Sequence, residues 1–210
     1  MGLNTQSKSI ASSRHPACLA ISQGRANTGS AKGIPCISRL ARRLDIAIHH
    51  SERSIMDNNL LWLGRHEGWL RYIAHGVKDG DEQCIERAAK LFDIMLPDEC
   101  IIVPMPSHVG YATTMASVCL EIISKSGRIY LNILRCSDHE SSYSVKKDGF
   151  EPEDYEMWLA IADGWRPSMP VLILDNVICS GVTATAAIRA FKSKGIDARV
   201  LALTRATWRS

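Results

Sequence analysis

The sequence predicts an α/β fold in which a parallel sheet is covered by helices on both faces. Three observations carry this reading. Short apolar, β-branched runs alternate with amphipathic helical stretches from about residue 82 onward, and the runs are apolar at successive positions, as strands buried on both faces must be. A third observation is size: 210 residues, 46% hydrophobic and 22% charged, make one α/β domain with an extension.

The elements follow in order. Over residues 82–96, Ile85, Ala88, Phe92, Met95 and Leu96 recur at helical spacing, and Pro97 cannot continue the helix. Residues 100–105 form a short buried strand that runs into a stiff loop at Pro104 and Pro106. Ala112, Met115, Ala116, Cys119, Ile122 and Ile123 share one face of a second helix over about 109–124, stopped near Gly127. Residues 128–134 read as the next strand, which completes a βαβ unit. The polar stretch 135–150 leads to a helix opened by Glu151, Pro152, Glu153 and Asp154, because a first-turn proline and acids suit the positive end of a helix; Gly164 and Pro167 close it. A strand over 171–174, a helix over about 182–194 with Ala184, Ala187, Ile188 and Phe191 inward, and a strand over 199–203 complete the pattern.

Charge is unevenly placed. Residues 1–54 hold eight Lys or Arg against Asp45 and Glu52, a local charge of +6, so the overall +3 leaves the remainder at −3. The folded part has no basic stripe with interleaved aromatics, which argues against nucleic acid as a partner. Residues 1–55 read as a basic, flexible N-terminal extension resembling a transit peptide or arm, or as sequence ahead of a true start at Met56; residues 56–210 form the domain. No run approaches the roughly 18 apolar residues of a spanning helix, so no membrane partner is expected. Seven scattered cysteines without Cys-x-x-Cys spacing read as thiols of a reducing compartment, the cytoplasm.

Parallel sheets bind ligands beyond the carboxyl ends of their strands, so chemistry is expected after Val103, Leu134 and Leu174. The last is the most informative. Asp175 follows an apolar strand, and Ser180, Gly181 and Thr183 follow at a helix start. Gly181 permits close backbone approach, first-turn N–H groups point outward, and the two hydroxyls add donors, which together make a phosphate cradle. Asp175 accepts from vicinal ribose hydroxyls or holds a magnesium-bound water, so acid and cradle describe a ribose 5-phosphate site. The run is neither a Walker loop nor a dinucleotide fingerprint.

The segment VLILDNVICSGVT at 171–183 resembles the 5-phosphoribosyl 1-diphosphate (PRPP) motif of the type I phosphoribosyltransferases. ARVLALTRA at 198–206, IIVPMPSH at 101–108 and LRYIAHGVKDGD at 70–81 make the ComF-like competence branch the most similar one, over roughly residues 60–206. The resemblance implies a type I phosphoribosyltransferase-like sheet with a small N-terminal hood. It implies PRPP binding by Asp175, Asn176, Cys179, Ser180, Gly181, Val182 and Thr183, with Mg2+ as cofactor at Asp175. Pyrophosphate contacts fall to Pro106, Ser107, His108 and Ser142. Asp175, Tyr143 and Lys146 become the catalytic residues, the latter two on a loop that closes over the departing group beside Lys147. The acceptor is a nucleobase or amine, and a homodimer is implied by analogy.

Three departures stand out. Asn176 replaces the second acid of the motif. Cys179 replaces the aspartate of the 6-oxopurine enzymes, which argues against hypoxanthine or guanine. Residues 1–60 lack the metal-ligand spacing of the branch's zinc module, so no zinc is expected. The leading expectation is transfer of the phosphoribosyl group to a nitrogen nucleophile with release of pyrophosphate. The alternatives are a non-catalytic PRPP- or nucleotide-binding regulator or ComF-like DNA-uptake accessory protein, and a hydrolase or structural protein on the same sheet. His108 is open between a ligand contact and a surface role, His139 reads as solvent-facing, and Trp62, Trp69 and Tyr72 read as stacking partners or core.

Overall fold

In chain order the elements are β1 (Leu60–Trp62), α1 (Gly68–Asp79), α2 (Glu82–Met95), β2 (Ile101–Pro104), α3 (Thr114–Ile123), β3 (Ile129–Tyr130), β4 (Leu134–Cys136), β5 (Met157–Leu159), β6 (Val171–Ile178), α4 (Val182–Ser193) and β7 (Ala198–Arg205). The computed structural model describes residues 59–124, 126, 128–141, 144, 145, 148 and 155–207. Five strands form one parallel sheet in the order β1-β7-β6-β2-β3, and β4 and β5 form a separate antiparallel ribbon.

Alternation along the central strands separates two cores. Ile102, Leu172, Leu174, Leu201 and Leu203 face α1, α2 and α3, where Phe92, Val77 and Val118 are buried. Ile101, Val103, Val171, Ile173, Val200 and Ala202 face α4 and the ribbon, around Phe191, Leu134 and Met157. Successive side chains of a strand point to opposite faces, so a strand apolar at every position requires both cores. The expected α/β architecture, with helices on both faces, is the observed one.

Two local expectations fail. Residues 128–134 are not one strand: β3 belongs to the main sheet and β4 to the ribbon, with 131–133 between them in neither. The helix expected from residue 151 lies outside the described residues at its start, and from 157 onward it is replaced by β5. There Met157 and Leu159 are buried and Trp158 is exposed, the alternation of a half-buried strand. Pairing of β5 with β4 overrides the local helix-start signal.

The helices pack where their sequences permit close approach. Asp81 caps α2 by accepting from the Cys84 N–H at 2.7 Å. A Cβ at Gly76 would collide with the Cys84 side chain, so glycine there sets the closeness of α1 to α2. Arg128 ties the end of α2 to β3: its guanidinium pairs with Asp93 and donates to the Pro97 and Leu96 carbonyls at 2.7 and 3.0 Å. Among the described residues no helix is long and apolar enough to cross a membrane, and Cys84, Cys100, Cys119, Cys136 and Cys179 are free thiols.

Candidate functional site

β6 extends four residues beyond the expected strand, so Asp175 lies inside the ladder, paired with Ala202 of β7. By strand parity it shares the face of Val171 and Ile173, toward α4. After Ile178 the chain turns through Cys179 and Ser180 to Gly181, the N-cap of α4, at φ 85°. That left-handed conformation is open to glycine without a Cβ penalty. A hollow of about 50 Å3 results, lined by Asp175, Val177, Ile178, Cys179, Ser180, Gly181, Thr183 and Ala184.

The chemistry of the hollow follows from its walls. The surrounding protein desolvates the Asp175 carboxyl and pushes its pKa up to about 6, against the opposing pull of the Asn176 and Val177 backbone N–H groups. The Asn176 N–H donates to Asp175 Oδ1 at 2.7 Å. In the same hollow, the first turn of α4 offers backbone N–H groups that lack intrahelical acceptors and carry the positive end of the helix dipole. The Val182 N–H makes only a long contact, 3.5 Å, to Ser180 Oγ. An acid and first-turn N–H groups lining one hollow suit a ligand that carries both hydroxyls and a phosphate.

Of the residues proposed from sequence for the phosphoribosyl group, Asp175, Cys179, Ser180, Gly181 and Thr183 line this hollow, and Val182 lies half-buried between them. Asn176 does not. Its side chain crosses to the opposite face, where Nδ2 donates to the Ala74 carbonyl of α1 at 2.7 Å and Oδ1 is buried without a partner. Asn176 thus fastens β6 to α1. Asn176→Asp is expected to destabilise the fold by about 2–3 kcal/mol, because a carboxylate cannot donate to Ala74 and its charge is buried. Chemical denaturation compared with the parent chain checks this.

Pro106, Ser107 and His108 leave the end of β2, the strand next to β6, and so reach the same sheet edge without lining the hollow. Their loop is closed by the Ser107 N–H and hydroxyl, which donate to the Tyr111 carbonyl at 3.0 and 3.1 Å. His108 is exposed, and its carbonyl accepts from the His139 N–H at 3.1 Å. Ser142, Tyr143, Lys146 and Lys147 lie outside the described residues.

Two groups at this edge escaped the sequence reading. Tyr155 donates its hydroxyl to Thr183 Oγ1 at 2.7 Å, and its ring stacks on His139 with centroids 3.8 Å apart. His139 is therefore half-buried rather than solvent-facing. Tyr155 also borders a cavity of about 360 Å3 along the flank of α4, shared with Glu156, Met157, Ala186, Arg189, Ala190 and Ser193. That cavity is the larger, but it lies beside the helix rather than at the strand ends. Just past β1, His66 Nδ1 is 2.9 Å from Oγ1 of Thr204 in β7; burial and the nearby His75 and Arg71 hold the His66 imidazole below its usual pKa. No spacing in the sequence announces either group, since both depend on strands or loops meeting across long separations. Trp62 is half-buried under the Arg205 guanidinium, 4.4 Å from the ring centroid, whereas Trp69 and Tyr72 are exposed.

No protein-family model and no curated protein matches the chain. Among solved structures it is similar to a hypoxanthine phosphoribosyltransferase from Staphylococcus aureus in two crystal forms. The tetragonal form is 16% identical with a TM-score of 0.33, over 74% of this chain and 71% of that one. The orthorhombic form is 14% identical with a TM-score of 0.31, over 73% and 71%.

Proposed function

We propose that the hollow at the end of β6 binds PRPP and that the chain transfers its phosphoribosyl group to a nitrogen nucleophile, releasing pyrophosphate. The observation that supports this reading is that Asp175 lines one small hollow together with the first turn of α4, Ser180 and Thr183. Asp175 accepts hydrogen bonds from the ribose hydroxyls and orients the sugar, while the α4 turn and its hydroxyls hold the 5-phosphate. The bond from the anomeric carbon to the diphosphate oxygen breaks with its electron pair on the diphosphate. The acceptor nitrogen bonds to that carbon and then loses its proton. Donors aimed at the leaving group act mainly in the transition state, where charge builds on it; Ser142, Tyr143 and Lys146, with the loop of Pro106, Ser107 and His108, are proposed for that task.

Magnesium fits this site in a limited way. Among the described residues no group of three or more His, Cys, Asp and Glu forms a protein cage. Magnesium is commonly held by one or two carboxylates together with substrate phosphates. Asp175 is a desolvated carboxylate with no cationic side chain paired to it among the described residues, and is the residue that would hold the ion. When bound, the ion neutralises charge on the diphosphate.

A second reading, binding without turnover as in a regulator or a ComF-like DNA-uptake accessory protein, is favoured by one observation: among the described residues Asp175 is the single carboxylate lining the hollow. Calorimetric titration of the full chain with PRPP and magnesium, with pyrophosphate release assayed over a panel of nucleobases and amines, separates the two. Binding with release is the expected result. Binding without release throughout the panel establishes the second reading, and a folded chain that binds nothing removes both.

A further inference from the structure

Thr183 stands in the second position of α4, on the wall of the hollow. A threonine hydroxyl has one proton to give and two lone pairs. In or near a helix that proton often turns back toward a backbone carbonyl, which leaves no donor for a ligand. Here the Tyr155 hydroxyl occupies one lone pair of Thr183 Oγ1 at 2.7 Å. The Tyr155 ring is in turn braced by the stacked His139 ring, at 24° between planes. His139 is fixed as well: its Nδ1 lies 2.8 Å from the Ser137 carbonyl, and its backbone N–H bonds the His108 carbonyl. A chain of contacts therefore runs from the loop after β2, through His139 and Tyr155, to the hydroxyl at the start of α4.

We propose that Tyr155 is a positioning residue for the phosphate-holding hydroxyl of Thr183, donating to its oxygen so that the threonine proton faces the hollow. The proposal deepens the reading of the hollow as a phosphate cradle, and rests on it. A hydroxyl that accepts from one donor is polarised and becomes a better donor itself, so Tyr155 acts on ligand affinity without touching the ligand. A purely architectural role, fastening β5 to α4, would give a different signature: Tyr155→Phe would lower stability and leave the affinity for a phosphate ligand unchanged.

The test is a double-mutant cycle on the full chain, with ribose 5-phosphate as the probe and calorimetric affinity as the readout. Tyr155→Phe keeps the ring and its stack and removes one hydroxyl; circular dichroism establishes that each variant is folded. Expected is a three- to tenfold loss of affinity in Tyr155→Phe, the size of one hydrogen bond of about 0.5–1.5 kcal/mol. A loss at least as large is expected in Thr183→Val, and no further loss when Tyr155→Phe is added to it. Unchanged affinity in Tyr155→Phe, or an equal loss from it in both backgrounds, overturns the positioning role and leaves the cradle standing. A folded parent chain that does not bind ribose 5-phosphate removes the cradle itself and the inference with it.

Discussion

Asp175→Asn is expected to weaken PRPP binding about a hundredfold while making the fold more stable. On the proposed reading the loss follows from two ribose hydroxyls that would donate to the carboxylate, each such bond contributing about 1.5–3 kcal/mol, of which an amide retains part. The gain follows from burial. The Asp175 pKa is raised to about 6, so the folded chain holds this proton more tightly than the unfolded chain, whose aspartate titrates near 3.9. Stability of the parent chain therefore falls as pH rises from about 4 through about 6 and is level above that. The asparagine variant escapes that decline. Above pH 7 it is expected to be more stable than the parent by on the order of 2 kcal/mol, and below pH 4 the two should coincide. The ligand runs the opposite way: binding needs the ionised acid, so affinity of the parent rises with pH up to about 6 and then levels off. Urea titrations at pH 4, 5.5 and 7.5, paired with calorimetry, check both halves. Equal stability of the two chains at every pH would show that Asp175 is not desolvated as described, and unchanged affinity would remove it from the site.

Phe191→Ala is expected to cost about 3–5 kcal/mol of folding stability, a large share of the 5–15 kcal/mol available to a typical domain. Phe191 is fully buried on the inner face of α4, among Ile173, Val200 and Ala187. Its carbonyl also accepts from the Ile196 and Lys194 N–H groups at 3.1 and 3.0 Å, ending the helix and turning the chain into β7. Truncation empties the centre of one core and loosens the helix whose first turn lines the hollow. A midpoint shift in urea with an unchanged slope is the expected signature; a cost below 1 kcal/mol would mean that the core closes around the vacancy.

What the sequence disclosed is what local pattern encodes. The runs at 101–104, 171–174 and 200–203 are apolar at successive positions because each strand feeds two cores, and that pattern, alternating with helices, implies a parallel sheet. The hollow was legible for a similar reason: Asp175, Ser180, Gly181 and Thr183 are close in sequence, and one strand-turn-helix brings them together. Asn176 shows the limit. Residue types do not reveal that the neighbour of Asp175 must serve the Ala74 carbonyl, 102 positions away. The Glu-Pro-Glu-Asp signal at 151–154 favours a helix locally, but Met157, Trp158 and Leu159 answer to the ribbon with β4 instead. Tyr155 was invisible because its role depends on a contact across 28 positions.

The strand order carries a consequence for how the chain is made. β7, synthesised last among the described strands, sits between β1 and β6, with Leu60 opposite Val200 and Leu174 opposite Leu201. During synthesis, the earlier strands emerge with an open slot where β7 will lie, and the flanking edges of β1 and β6 stay unpaired until about residue 205 is available. Pairings of such long sequence separation form slowly, and open edges invite association with other chains. The vulnerable interval in the life of this protein is therefore the time before β7 has emerged, when one internal strand must still be placed between two that are already waiting.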